Sequence, residues 1–373
     1  MGERQQEERK ETRRANQARI ARLISEAGTI SKNELAARLG LSMPTVLQHV
    51  KVLTEAGYIT ESGEYGSTGG RKAKCLSVVG DMGFAVGMDI TESYISYVLT
   101  DMRRELVRKA RIRVPFAKSS LYYEAMGNWL QVFLEQAGIG QEKILGVGIS
   151  LPGVVDPDEK LLLQSHTLQA ENMGFKRLES LTGYPCEVGS DAGGAAYAEL
   201  AGESTDAVYL SLNDTVGGAI YLNQEFYTGE QGKGARFGHM RMEKNGRPCY
   251  CGSRGCLDAY CSAKALRGED KSLDVFFEKV QAREAGYRKR LEEYLDTLAA
   301  AAVQLHVLFG CDVVLGGEAG RYLGGYRREL DRLVAEYSYL DPDTSFVRIG
   351  KCQAEASAFG MAIREIDRFF ERL

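Results

Sequence analysis

The sequence predicts an α/β protein in two parts, a winged helix-turn-helix over residues 1–80 and a larger body of mixed sheets and helices over 81–373. Three observations carry this. Short amphipathic helical periods fill the first part and end in a Gly-rich basic turn. Three strand-like runs then follow one another before strand and helix patterns alternate. One dense Cys/His cluster sits inside the second part. At 373 residues the chain is long enough for a small module plus a two-lobed body.

In the first part, Asn16–Ala27 reads as an amphipathic helix with Ile20, Leu23 and Ile24 on one face. Ser31-Lys32-Asn33-Glu34 is a capping box, in which the Ser hydroxyl and Glu carboxylate satisfy free amides at a helix start. That helix, Asn33–Leu39, stops at Gly40. Leu41-Ser42 leads into a second helix with Pro44 in its first turn, where no amide bond is lost. Val46, Val50 and Leu53 share its apolar face, and Ser42, Thr45, Gln48 and His49 are assigned to reading base edges. Tyr58–Thr60 and Ala73–Val78 pair as a wing, with Arg71 and Lys72 on its Gly69-Gly70 tip for phosphate or minor-groove contact. Residues 1–80 hold 13 basic and 9 acidic side chains, a net of +4, leaving −8 on the remainder of a chain whose total is −4. A solvated N-terminal helix gives the same balance, so charge alone does not separate it from a nucleic-acid face.

In the second part, Phe84–Ile90, Tyr94–Thr100 and Glu105–Val114 read as consecutive strands, followed by a helix at Leu121–Gly138 that carries Trp129. Strand-like runs recur at Ile144–Ser150, Ala207–Leu212, Ala219–Leu222 and Asp312–Leu315. Helical runs lie between and after them at Ala192–Ala201, Leu273–Val280, Tyr287–Leu308, Tyr326–Tyr337 and Ala354–Phe370. No run of about 18 apolar residues exists and the N-terminus is polar, so a cytoplasmic protein is expected.

Cys249, Cys251, Cys256 and Cys261 fall within thirteen residues, with His239 upstream. A tight cluster without a secretory signal reads as metal rather than disulfide. His239, Cys249, Cys251 and Cys256 make a Cys3His set suited to tetrahedral zinc with no position left for water, hence structural zinc. Cys261 is a rival fourth ligand. Cys75, Cys186, Cys311 and Cys352 stand in apolar contexts as buried reduced thiols.

Gly238-His239 followed by Cys249-Tyr-Cys251-Gly-Ser-Arg-Gly-Cys256-Leu257 resembles the zinc motif of the repressor/open-reading-frame/kinase (ROK) family. Leu41-Ser-Met-Pro-Thr45, Gly69-Gly-Arg71 and Leu151-Pro-Gly-Val-Val-Asp156 extend the likeness to its repressor branch, from about residue 13 to the C-terminus. The resemblance implies a two-lobed actin-like ATPase (ribonuclease H-like) body, a sugar cleft between the lobes, and a homodimer or dimer of dimers. It also implies that the zinc-bound histidine touches the sugar, which favours His239 over Cys261.

Kinase members of the family carry Asp-x-Gly-Gly-Thr where this chain has Asp89-Ile90-Thr91-Glu92-Ser93, and Gly-Thr-Gly-x-Gly-Gly-Gly where it has Asn213-Asp214-Thr215-Val216-Gly217-Gly218-Ala219. Glycines are lost at Thr91, Glu92, Asn213 and Thr215, and the carboxylates of Glu92 and Asp214 oppose a polyphosphate. No kinase activity is therefore expected. Asp191 matches the kinase general base, in Ser190-Asp191. It serves here first as a contact to a sugar hydroxyl, second as a helix cap, and third as a catalytic base. The family's two sugar-binding glutamates become Arg236 and Asp258. Arg236, near Lys233, points to an anionic sugar derivative such as a sugar phosphate; pairing with a local carboxylate, or a decayed pocket, are the alternatives. The expected whole is a sugar-responsive repressor with operator DNA and a small-molecule effector at Ser190, Asp191, Arg236, His239 and Asp258. An ATP-dependent sugar kinase, or a constitutive DNA-binding protein with a vestigial cleft, are the rivals.

Overall fold

Ser31 and Ser42 start the two helices that define the N-terminal module. The computed structural model describes residues 2–64, 74–339, 343–352 and 355–373. The chain opens with α1 (Gly2–Ala27), which begins well before the expected Asn16, and continues through β1 (Ile30–Ser31), α2 (Lys32–Leu39) and α3 (Met43–Glu55). The Ser31 hydroxyl accepts from the Glu34 amide at 3.2 Å. Among the described residues the Glu34 carboxylate pairs with Arg38 at 2.9 Å, and no reciprocal bond to the Ser31 amide accompanies the cap. Gly40 ends α2 at φ 64°, a left-handed conformation that favours glycine. Two further strands, β2 (Ile59–Glu64) and β3 (Lys74–Val78), pair antiparallel with Ile59 opposite Val78, and β1 adds to the far edge of β3.

The body repeats one plan twice. Its first lobe contains β4 (Phe84–Ile90), β5 (Tyr94–Asp101), β6 (Leu106–Arg113), α4 (Ser120–Ala137), β7 (Ile144–Leu151), β8 (Val154–Asp156), β9 (Leu161–Ser165), β10 (Ala170–Gly174), α5 (Arg177–Thr182), β11 (Cys186–Ser190) and α6 (Asp191–Leu200). The main sheet runs β11-β7-β4-β5-β6, with β4, β5 and β6 antiparallel and β7 and β11 parallel to β4. The second lobe contains β12 (Ala207–Leu212), β13 (Val216–Leu222), β14 (Glu225–Tyr227), α7 (Asp258–Cys261), α8 (Ala263–Arg267), α9 (Leu273–Gln281), α10 (Tyr287–Phe309), β15 (Asp312–Gly316), α11 (Gly317–Leu323), α12 (Arg327–Tyr337) and β16 (Val347–Ile349). Its sheet runs β14-β13-β12-β15-β16, again an antiparallel meander continued by two parallel strands. Three short strands, β8, β9 and β10, form a separate sheet that the sequence patterns did not foretell. Its Val155 carbonyl comes against Gly232 of the second lobe, where an added Cβ would lie 2.9 Å from the oxygen.

The last helix, α13 (Ala356–Glu371), crosses back over the first lobe. It lies so close to β4 that a Cβ on Gly87 would fall 1.7 Å from the Ala358 carbonyl oxygen. Its other side completes the core of the N-terminal module. Ile20, Ile24, Leu35, Val46, Val50 and Leu53 form one buried cluster with Ala362, Ile366 and Phe370 of α13 and with Ala85 and Met102 of the first lobe. Tyr58 meets Phe369 edge to face at 5.7 Å. The helix-turn-helix is therefore packed onto the body rather than only tethered to it. No helix among the described residues is long and apolar enough to cross a membrane.

Candidate functional site

Helix α3 offers its outer face to solvent. Ser42 and Gln48 are exposed and Thr45 is half-buried. The Ser42 hydroxyl caps α3 through the Thr45 amide at 3.4 Å and meets the Thr45 hydroxyl at 2.8 Å, so both side chains hold the start of the helix. His49 corrects the sequence expectation. It lies three residues after Val46 and four before Leu53, which puts it on their face, and only 4 % of it is exposed. Burial, with the Arg13 charge second, holds its imidazole below the usual range, and its Nδ1 has no hydrogen-bond partner among the described residues. Leu47, Lys51 and Val52 take the exposed positions that His49 lacks. A search limited to polar side chains misses two of these. Arg71 and Lys72 lie outside the described residues.

The Cys/His cluster assembles as expected. One ligand atom from each of His239, Cys249, Cys251 and Cys256 lies within 4.8 Å of the others, and the group could hold a metal ion. Cys251 Sγ and Cys256 Sγ are 3.8 Å apart, and His239 Nδ1 is 3.9 Å from Cys249 Sγ. Gly252 and Gly255 take positive φ, of 85° and 76°, which lets the chain fold round the four donors. Cys261 is not a fourth donor: it is buried in α7 with its Sγ toward the Tyr294 carbonyl at 3.8 Å. Cys75, Cys186 and Cys311 are buried free thiols, and Cys352 is half-buried.

Two carboxylates of the first lobe lie near enough to influence each other, at the ends of β4 and β11. Asp89 comes from β4 and Asp191 begins α6 at the end of β11. Burial, with the like charge of Asp89 second, raises the Asp191 carboxyl to about 7 against hydrogen bonds from two amides and Asn213. Burial raises Asp89 to about 6, although the Ser150 hydroxyl donates to it at 2.8 Å. Ser190, not Asp191, caps α6, accepting from the Gly193 amide at 3.1 Å. From the second lobe, Asp258 is 6 % exposed and accepts from the Val216 amide at 2.6 Å; burial lifts its carboxyl to about 6. Arg236 is exposed, and no described carboxylate pairs with it; its charge adds to burial in holding His239 below the usual imidazole range.

Tyr250 and His166 join this group without having been singled out from sequence. Tyr250 stands between two cluster cysteines, and its hydroxyl is 3.4 Å from His239 Nε2. Its ring stacks on His166 at 4.4 Å between centroids, so the loop carrying Cys249 and Cys251 touches the sheet of β8–β10 in the first lobe. Burial, followed by the charges of Asp258, the cluster thiols and Asp191, pushes the phenol up. The signal lay in the motif itself, where an aromatic residue is pinned between two ligand-type cysteines.

At the positions expected to match the kinase phosphate loops, the side chains make local contacts. Asp214 is ion-paired with Arg267, so its charge is not the bare negative charge expected. Asn213 Oδ1 accepts from the Glu318 amide at 2.8 Å, and the Thr91 hydroxyl donates to the Tyr94 carbonyl at 3.0 Å.

Comparison with known proteins fits this geometry. Residues 85–366 match the ROK family, and residues 13–60 match a winged helix-turn-helix DNA-binding family. The xylose repressor of Bacillus subtilis strain 168 is 26% identical over 258 residues, covering 68% of this chain and 67% of that protein. The DNA-binding transcriptional dual regulator NagC of Escherichia coli K12 is 26% identical over 273 residues, covering 72% and 67%. A ROK family transcriptional regulator, a homologue of the E. coli MLC protein, superposes over 97% of this chain and 98% of its own with a TM-score of 0.77 and 18% identity. The ROK hexokinase of Thermus thermophilus aligns with 75% of this chain and 97% of its own at a TM-score of 0.62 and 23% identity. This chain belongs to the ROK family and carries the winged helix-turn-helix at its N-terminus.

Proposed function

We propose that this protein is a sugar-responsive transcriptional repressor, with residues 1–80 as its DNA-reading head and residues 81–373 as its effector-binding body. The observation that carries the reading is the shared core: the buried face of the helix-turn-helix is completed by α13 of the ROK body. A ligand-driven change in the body therefore acts on the head through packed side chains. Relatives named xylose repressor and N-acetylglucosamine repressor support the same reading. A homodimer or dimer of dimers in the cytoplasm would set two α3 helices in successive major grooves of a palindromic operator.

The cluster fits zinc. At Zn–S distances of about 2.3 Å, tetrahedral thiolates stand about 3.8 Å apart, and Cys251 and Cys256 are separated by 3.8 Å. Zinc would be held by His239 Nδ1 and the three thiolates and would fix the loop that carries Tyr250. His239 Nε2 is then left to the Tyr250 hydroxyl, 3.4 Å away.

The effector fits an acidic floor and a basic rim. Asp89, Asp191 and Asp258 can accept from sugar hydroxyls, whereas the guanidinium of Arg236 suits an anionic group on the same molecule. Calorimetric titration with glucose 6-phosphate, N-acetylglucosamine 6-phosphate and their unphosphorylated sugars tests this. The phosphorylated sugars should bind more tightly, and Arg236→Ala should remove the difference. Tight binding of an unmodified hexose, indifferent to Arg236→Ala, sinks it.

The kinase alternative rests on Asp191, whose carboxyl near 7 would suit a general base. Against it stand the Asp214–Arg267 pair and the Asn213–Glu318 contact in the phosphate-binding positions. Turnover in a coupled ADP-release assay, abolished by Asp191→Ala, would reverse the choice.

A further inference from the structure

Helix α6 starts beside Asp89, and its second half is linked to the head through one carboxylate of α13. Asp191 begins it and Tyr197 lies near its far end. The Tyr197 hydroxyl donates to Asp367 Oδ2 of α13 at 2.5 Å. The Asp367 side chain is 1 % exposed and accepts on its other oxygen from Arg104 Nη2 at 2.5 Å. Arg22 of α1 reaches the same carboxylate at 3.6 Å and holds Glu26 of α1 at 2.8 Å, and Arg104 also reaches Glu26 at 3.4 Å. One buried carboxylate thus gathers partners from α6, from the β5–β6 turn and from the head.

The crossing beneath it has little slack. A Cβ on Gly360 of α13 would lie 1.8 Å from the Gly194 carbonyl oxygen of α6, so the two backbones touch. Close-packed elements of this kind shift as units. Nearby, the Ser25 hydroxyl of α1 donates to the Met102 carbonyl at 2.8 Å, adding a second polar tie between head and first lobe.

We propose that Tyr197 and Asp367 form the relay by which the cleft sets the position of the DNA-reading head. When a ligand engages Asp191, the start of α6 moves against the Asp89 carboxylate. The rigid helix carries that shift to Tyr197, Tyr197 repositions Asp367, and Asp367 draws or releases α1 through Arg22. Tyr197 and Asp367 are positioning residues here; neither touches the ligand or the DNA. The relay rests on the reading of the cleft as the effector site, and it adds the path by which that site is heard.

Hydrogen exchange on the full-length protein tests the relay without any ligand. Asp191→Asn removes one of the two crowded carboxylates and so perturbs the cleft end of α6. It should change exchange of α1 amides over residues 16–27 by on the order of fivefold or more, the low end of allosteric couplings. In a Tyr197→Phe background the same change should leave those amides within about twofold, because residues coupled in one network fail to add. Amides of α10, remote from the relay, should be unaffected in both backgrounds, which separates a transmitted shift from general loosening. Arg22→Gln, which removes the direct arm from Asp367 to α1 at a half-exposed residue and leaves the Arg104–Glu26 contact, should cut the transmitted change at least in half, and it serves if Tyr197→Phe does not fold. An α1 exchange rate unmoved by Asp191→Asn, or moved equally in both blocked backgrounds, overturns the relay. Failure of every sugar to bind would instead overturn the effector reading and leave this outcome standing.

Discussion

The rings of His166 and Tyr250 stack at 4.4 Å, one from the first lobe and one from the Cys/His loop of the second. Their contact joins the two lobes beside the Cys/His cluster, because Tyr250 stands between Cys249 and Cys251. Stacked aromatic pairs contribute about 0.5–1.5 kcal/mol beyond their buried area. A double-mutant cycle of His166→Ala and Tyr250→Ala, read by urea unfolding, should give a coupling in that range; strict additivity would show that the rings stabilise nothing together.

The metal cluster predicts a zinc content of one per chain by elemental analysis. Cys256→Ser should lose the metal, whereas Cys261→Ser should keep it, because Cys261 points to Tyr294 rather than to the cluster. Loss of about 3 kcal/mol of stability would lower Tm by roughly 4 °C in a chain of this size. A Cys261→Ser protein without zinc would contradict the assignment.

Asp191 predicts a pH dependence with a definite sign. Its folded carboxyl is raised to about 7, above the usual carboxylate value, so its contribution is fully present below about pH 4 and is lost as pH rises through 7. Asp191→Asn should therefore gain on the order of 1–2 kcal/mol over the native protein at pH 8 and little at pH 4. Equal gains at both pH values, measured by urea unfolding, would show that the carboxylate is not held in a costly place.

On the DNA face, Gln48 and His49 should behave oppositely. Gln48→Ala should cost about 1–3 kcal/mol and relax preference at one base position of a selected operator. His49→Leu should leave sequence preference intact and raise stability slightly, since it removes a buried ring nitrogen that has no partner among the described residues. A changed base preference in His49→Leu would return His49 to the reading surface.

Much of this was legible in the sequence where the signal is local. Ser42 with Pro44, and the Cys-x-Cys spacing, each specify geometry within one turn, and each is found as read. The burial of His49 follows from its three-residue step from Val46, a periodicity that outweighs its polar chemistry. What stayed hidden is non-local. Leu161–Ser165 carries no clear alternation, and its pairing with Ala170–Gly174 closes through Gln169, at φ 47°. The common plan of the two lobes leaves no repeat in the residues. Asp367 is 1 % exposed because Arg22, Arg104 and Tyr197 converge from far along the chain, which no spacing announces.

The central claim is that a molecule in the cleft controls DNA binding by the head. Its most direct test is fluorescence anisotropy of an operator fragment selected from genomic DNA by the full-length protein, titrated with the same sugars and sugar phosphates at fixed salt. At least one should shift operator affinity about 5–150-fold, the span of typical allosteric couplings, and the shift should shrink in Arg236→Ala. Operator affinity unchanged by every compound, while the same compounds bind the cleft by calorimetry, would contradict the account.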